Sequence, residues 1–573
     1  MFFTTVITPR LTLNCNRAWN RQLRRSFLVR TERTGHPHYS RSLSTTSLRL
    51  CEGDKSGGKG PPTEIQGGVG NTAGNVGKAE HKEPLYKVRY ENPISRTLGI
   101  MGDDVKEYFS GKGRRVKRIL ATTEKIFNGR ETENEDGQRT EGREVSQRTV
   151  WPSTCDVLII GGGAMGSSIA YHLKERALKG LHVVVVEQDY SYKRASTVLS
   201  VGGIRQQFSI PENIHLSLYG MDFLRNAPKF LAVEGADPPD MQFNPGGYLT
   251  LASEEGVENM KANFDIQREV GAKVEFLSAG RLKKRFPWIN TEGIAAGVIG
   301  LENEGWFDPW SFLCCLRRKA VSLGTEFVTG KVTGLDCEVL DDIVTEGIGN
   351  LSLKNIRRAE VTLPDGEKRD ISCAIVILAA GAWSGEIGNL VGIGQGSGVM
   401  GIPIPIEPRK RYVYCIHAPD GPGLDCPLVI NPDHSYFRRE GLGGLYLCGQ
   451  SPTEAEEPPI DDLEVDENYF QNRVWPAIAQ RVPAFENAKL RSSWAGYYDY
   501  NTFDQNGIIG LHPMFSNLFL AAGFSGHGIQ QAAGIGRAVM ESILHGEYMT
   551  INLERFAFER ILMNEPLLER YIV

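Results

Sequence analysis

The stretch from Cys155 to Glu187 leaves this chain little choice of fold. Cys155-Asp156-Val157-Leu158-Ile159-Ile160 is a short apolar run suited to a strand buried on both faces, and it leads straight into Gly161-Gly162-Gly163-Ala164-Met165-Gly166. Ser167 to Arg176 follows with Ile169, Ala170 and Leu173 at helical spacing, and Val183 to Val186 makes a second buried strand that ends in Glu187. Strand, glycine turn, helix, strand and acid predict a Rossmann-like α/β unit that holds a dinucleotide. Gly161 permits the tight turn, Gly163 lets backbone approach a pyrophosphate, and Gly166 lets the helix lie against the strand. The helix N-terminus offers unpaired N–H groups to the anion, and Glu187 accepts from ribose hydroxyls. A second match to the glycine pattern, Gly396 to Gly401, lacks the preceding strand, and Pro403 and Pro405 forbid the helix that should follow, so it is expected to be a turn.

Twice more the chain runs an apolar strand into a turn of small residues. Val376-Ile377-Leu378-Ala379 ends in Ala380-Gly381, and Leu518 to Ala522 ends in Gly523, with Phe524-Ser525-Gly526-His527-Gly528 leading into a helix from Ile529. Either turn taken alone is also what an ordinary strand end or strand-to-helix connection looks like. A NAD domain completes its contacts within its first half, so two later returns predict FAD, with Ala380, Gly381, Gly523, Gly526, His527 and Gly528 beside it. The last helix N-terminus would stabilise negative charge on a reduced flavin ring.

The remaining composition mostly excludes. The 573 residues allow three or four units at roughly 150 residues each, and a net charge of −5 gives no positive field for nucleic acid. Ten cysteines without a CxxC pair predict no metal site, and Cys155 and Cys373, each beside an apolar run, are expected in the core. Nothing approaches the ~20 apolar residues of a transmembrane helix. Residues 1–50 carry nine arginines, no lysine and one acid, Glu32, the composition of a mitochondrial presequence, the alternative being a disordered basic tail. Residues 51–150 are expected to be low-complexity linker around a short basic segment at 84–127 that includes Arg114, Arg115, Lys117 and Arg118.

The motifs at 161–166, 196–205, 379–384 and 521–528 together resemble those of the D-amino-acid-oxidase-type flavoproteins, with sarcosine oxidase, sarcosine dehydrogenase and glycine oxidase as nearer relatives. That resemblance implies a Rossmann-like FAD-binding domain from 151–238, 301–395 and 500–573, interleaved with an α+β substrate domain from 239–300 and 396–499 built on a largely antiparallel sheet. It also brings Ser196, Thr197, Gly202 and Gly203 to the cofactor. Some relatives attach FAD through a histidine after the Ser196-Thr197 position or a cysteine ahead of the C-terminal glycine strand. This chain has Leu199 in the first place and no cysteine in 494–500, so FAD is expected to be non-covalent.

Oxidation of an amine by flavin needs cations for the substrate carboxylate, where the arginine fork is well suited. Arg205 is the leading candidate, the alternative being a structural arginine paired within its own domain. Arg411 is the second, the alternative being a surface charge, and Tyr412 and Tyr498 offer hydroxyls. The sarcosine-oxidase group has two further basic positions, which here hold Phe208 and Gln530. Losing two charge-assisted contacts of ~1.5–3 kcal/mol each makes sarcosine itself a doubtful substrate. The stretch Gly202 to Phe208 and the arginine-rich leader narrow the resemblance to a mitochondrial branch associated with assembly of respiratory complex I. The function this implies is assembly of complex I, with its subunits or assembly intermediates as partners, in the matrix or on the matrix face of the inner membrane. The alternative is a matrix amine or amino-acid dehydrogenase or oxidase passing hydride to flavin.

Overall fold

The computed structural model describes residues 151–344 and 352–570, so the presequence and linker expectations lie outside the described residues. Strand β1, Thr154–Ile160, carries no exposed side chain from Val157 onward, and it lies in parallel between β2, Val183–Glu187, and β11, Lys368–Leu378. Beyond β2 comes β8, Glu326–Thr329, and beyond β11 comes β18, Leu518–Ala522, both parallel to their neighbours. Strand β17, Ile508–Leu511, closes that edge antiparallel to β18. The order is β17-β18-β11-β1-β2-β8. Strand order therefore reverses at β1, and the crevice outside the carboxyl ends of β1 and β11 is where such a sheet receives a ligand.

Strand β11 is longer than the sequence predicts. Its first half, Lys368 to Ser372, is polar and pairs with β10, Ser352–Thr362, which pairs in turn with β9, Lys331–Val344. That half alternates exposed and inward side chains, whereas Ile375 to Leu378 is buried throughout. An edge hairpin with one wet face does not produce the continuous apolar run by which a central parallel strand is recognised.

The central strands are covered on both sides. Val157, Ile159 and Ile377 meet Ile169, Leu173, Phe223, Phe312 and Ile535 on one face. Leu158, Ile160, Val184 and Val376 meet Ile356, Ile371, Val391 and Phe515 on the other. Cys155 and Cys373 are register partners across β1 and β11, and both are buried.

A second eight-stranded sheet has the order β16-β12-β15-β14-β13-β4-β6-β5. Its strands are β4, Tyr248–Ala252; β5, Val274–Ser278; β6, Ala296–Gly300; β12, Ile406–His417; β13, Leu428–Ile430; β14, Ser435–Glu440; β15, Leu445–Gln450; and β16, Lys489–Asn501. Every pair is antiparallel except β13 with β4. The expected hairpin is β14–β15, turned at Gly441 and Gly444, both with positive φ. Strands β3, Gly203–Ile204, and β7, Gly305–Trp306, form a two-residue pair. Residues 398–401 of the rejected glycine motif form a short 3-10 turn. Among the described residues no helix is long and apolar enough to cross a membrane.

Candidate functional site

One cavity of ≈1060 Å³ runs from the ends of β1, β2 and β11 to the inner side of the second sheet. Sites for a single small molecule span roughly 300–1,000 Å³, so this one is large enough for a dinucleotide with a small substrate.

The glycine turn forms one end. Gly161 has φ +101°, and a Cβ there would lie 2.4 Å from the Ala379 carbonyl oxygen, so only glycine fits where β1 and β11 release the chain. A Cβ on Gly166 would lie 1.9 Å from the Gly161 carbonyl oxygen, which makes Gly166 a contact between helix Ala164–Ala177 and the turn and not part of the cavity wall. Gly163 does line the wall, and Thr197 reaches it from the short helical turn Ser196–Leu199, its hydroxyl accepting the Ala164 N–H at 3.1 Å. Glu187 accepts the N–H groups of Gly162 at 2.8 Å and Asp189 at 3.0 Å, which fixes its carboxylate at the cavity edge with further lone pairs to offer. These residues fit a dinucleotide: a backbone cradle that a Cβ would fill, a helix N-terminus for the pyrophosphate and an oriented acid for the ribose.

The other end is built around Arg205 and His527. The Arg205 guanidinium lies 3.1 Å from His527 Nε2 and over the rings of Phe208 and Tyr248, at 5.1 and 6.0 Å. Arg205 is buried, and among the described residues it makes no ion pair. A guanidinium only donates, so Nε2 accepts. Burial, and then the Arg205 charge, push the His527 pKa down to about 3, so His527 is neutral at pH 7. Phe208 and Gln530 support this arrangement. The Phe208 ring packs edge-on to His527 at 5.3 Å, and Gln530 Oε1 accepts the Arg205 backbone N–H at 2.8 Å. Behind them, burial raises the Glu304 pKa to about 7, although its carboxylate accepts the Gln206 N–H and the Gln207 amide.

Arg411 lines the cavity but is committed: it forms a two-pronged pair with Glu457 at 2.7 and 2.8 Å and donates to the Lys410 carbonyl. Tyr498 lines the cavity and Tyr412 does not, because Tyr412 points into the core of the second sheet. Ser196, Thr197, Gly203, Ala380, Gly381, Gly526, His527 and Gly528 are on the wall, whereas Gly202 and Gly523 are behind it. A Cβ on Gly202 would meet the Phe307 carbonyl oxygen at 2.0 Å, and the Gly523 N–H donates to Asp499 at 2.9 Å, so both glycines shape the loops that carry their neighbours.

Several wall residues escape a reading of the sequence. Arg194 stacks on Trp383 at 4.8 Å and on Tyr497 at 5.4 Å. Asp499 also accepts the Phe524 N–H, and burial raises its pKa to about 6. Tyr248 and Tyr436 come from strands with no recognisable motif. A signal existed only for Asp499, the one charged residue in the otherwise aromatic and small-residue run 494–500 of its strand. Leu199 and the cysteine-free segment 494–500 touch each other here. A Cβ on Gly496 would lie 2.9 Å from Leu199 Cβ, and the Trp494 indole N–H donates to the Leu199 carbonyl.

Residues 156–542 match the family model described as FAD dependent oxidoreductase. The chain is 54% identical over 427 residues to FAD-dependent oxidoreductase domain-containing protein 1 of Xenopus laevis, covering 74% of this chain and 85% of that one. It is 42% identical over 511 residues to the Drosophila melanogaster homolog of that protein, covering 88% and 95%. Among solved structures, the L-proline dehydrogenase of P. horikoshii superposes with a TM-score of 0.58 at 26% identity, over 72% of this chain and all of that one. The chain belongs to the FAD dependent oxidoreductase family, and with neither attachment position able to form a bond, its FAD is held non-covalently.

Proposed function

We propose that the protein oxidises a small amine or amino acid bearing one carboxylate, in a site divided between two interleaved domains. The parallel-sheet segments 151–238, 301–395 and 500–573 would hold FAD, and 239–300 with 396–499 would supply the substrate side. The observation that carries this reading is the buried, unpaired Arg205 beside a neutral His527 on the wall of the large cavity. A desolvated cation without a carboxylate partner is costly unless an anion joins it.

Gly161, Gly163 and the N-terminus of helix Ala164–Ala177 would receive the pyrophosphate, Glu187 the ribose, and the N-terminus of helix Gly528–His545 the flavin end. Bound FAD would supply hydride acceptance from a carbon next to nitrogen. Arg205 would hold the carboxylate, and its charge favours the unprotonated amine that the chemistry requires. Tyr248, Tyr436 and Tyr498 close the substrate side and exclude water. The similarity to an L-proline dehydrogenase supports an amino-acid donor. With Arg411 held by Glu457, a substrate with a single carboxylate is the better fit.

The arginine-rich leader supports a mitochondrial location, in the matrix. A role with complex I subunits is the second reading. It would use surfaces such as 84–127, outside the described residues, whereas the cavity favours chemistry. Anaerobic mixing of the purified holoprotein with a panel of amines and amino acids tests the first reading: flavin absorbance should bleach with a monocarboxylate amine, and no bleaching across the panel would overturn it.

A further inference from the structure

Behind Arg205, away from the main cavity, is a second cavity of ≈20 Å³ lined by Arg205, Gln207, Thr250, Met260, Asn263, Gln267 and Val298. Its construction is unusual for an interior. Helix Val257–Val270 buries Met260, Asn263 and Gln267, so two of the three side chains on its inward stripe are amides. Each lining amide has its N–H group committed: Asn263 donates to the Arg570 carbonyl at 2.7 Å, Gln267 to the Phe208 carbonyl at 3.2 Å, and Gln207 to the Tyr248 carbonyl at 3.1 Å and to Glu304 at 2.8 Å. Those bonds settle which end of each amide is nitrogen. They leave Asn263 Oδ1, Gln267 Oε1 and Gln207 Oε1, together with Thr250 Oγ1, buried without a partner among the described residues. Four buried oxygens left bare around one small space would be expensive, because each forfeits its hydration for nothing.

We propose that this cavity is a built site for a single water molecule that orients the Arg205 guanidinium toward the main cavity. The inference rests on the reading of Arg205 as the anion-binding group. The volume admits about one water, which needs ~10–15 Å³ and two to four polar partners. The chemistry selects a neutral occupant. A water takes an N–H from Arg205 on one lone pair and the Thr250 O–H on the other, and gives its two hydrogens to amide oxygens. Ammonium or a metal cation has no lone pair for the guanidinium and would face its positive charge. Arg205 is thus held by neutral acceptors on both sides, His527 Nε2 in front and the water behind, so its charge stays available to a ligand. Thr250, Asn263, Gln267 and Gln207 act here as positioning residues.

A high-resolution crystal structure of the holoprotein should show one ordered water within hydrogen-bonding distance of Arg205 and at least two of the amide oxygens. An empty cavity, a cation there, or a collapse that gives the amides protein partners would overturn the site. Acetate, titrated into the holoprotein through the perturbation of flavin absorbance, tests the consequence. Thr250→Val, equal in size but without the hydroxyl, should weaken acetate about three- to tenfold with flavin content unchanged, and Thr250→Ser should restore it. If Thr250→Val binds acetate like the parent while Arg205→Gln does not, the water's positioning role is wrong and the reading of Arg205 stands. If Arg205→Gln also binds like the parent, the reading of Arg205 falls, and the crystallographic water alone decides the site.

Discussion

The two ends of the cavity are made in opposite ways. At the dinucleotide end, turn, helix and acid follow one another within Gly161 to Glu187, and the determining contacts are close backbone approaches at Gly161 and Gly166 and a backbone N–H of the turn donated to Glu187. At the Arg205 end, Arg205 follows β3, His527 precedes helix Gly528–His545, and Tyr248, Arg411 and Tyr498 come from three strands of the second sheet, so one wall is assembled from five separate segments. The contrast teaches that a cofactor shared by a whole family can be served by a contiguous motif, whereas specificity is assembled from side chains that no short motif links.

The largest effect should follow from disturbing the contiguous end. In Gly166→Val the new side chain has no room against the Gly161 carbonyl, and the protein is expected to retain less than a tenth of its flavin, with overpacking costing about 1–3 kcal/mol of stability. The ratio of flavin to protein absorbance and a thermal melt would check this. Full flavin retention would mean that the two ends differ less than described.

At the dispersed end, Arg205→Gln should leave FAD in place and weaken a monocarboxylate ligand by about 10- to 100-fold, the equivalent of one charge-assisted contact of ~1.5–3 kcal/mol. Flavin-monitored titration would read it, and a parallel loss of FAD would blur the distinction between the two ends.

A pH effect of intermediate size is expected from Glu304. Its folded pKa is raised from 4.5 to about 7, so its contribution to stability is complete below pH 4.5 and is lost as pH rises through about 7. Over the upper part of that range its new negative charge acts against Arg205, and carboxylate binding should weaken above pH 7. Glu304→Gln should flatten that profile. His527, lowered from 6.5 to about 3, has the opposite sense: its contribution is present above pH 6.5 and declines as pH falls toward 3.

The smallest effect belongs to Glu457→Gln, which releases the Arg411 fork toward the cavity. Binding of a ligand with two carboxylates should strengthen by about two- to fivefold and that of a monocarboxylate should change little, because Arg411 remains partly solvated. Equal strengthening of both ligands would place Arg411 at the first carboxylate site.

Legibility divides along the same line. The buried strands at 155–160 and 183–187 are readable because burial on both faces demands an unbroken apolar run. The polar half of β11 and its partners β9 and β10 are not, since an edge hairpin alternates and carries charges. Arg205 is recognisable as a candidate from its place after two glycines. That it has no ion pair among the described residues, and that Phe208 and Gln530 brace the loop carrying it, depends on contacts such as Phe208 with His527 and Gln530 with Arg205, between residues hundreds of positions apart. Arg411 illustrates the reverse: a strand-opening arginine looks available in sequence and is engaged in space by Glu457, from a loop with no motif of its own.

By itself, the sequence determined the dinucleotide turn, the return of two further glycine turns to it, and the absence of a histidine at Leu199 and of a cysteine in 494–500. These are local properties, set by which residues tolerate a positive φ, a close backbone approach or a covalent bond. Only the tertiary structure decided which charges are spent on partners and which are free, and that the amides of helix Val257–Val270 enclose a small polar cavity behind Arg205. Burial and pairing set the strength of a charge, and both are properties of the folded neighbourhood.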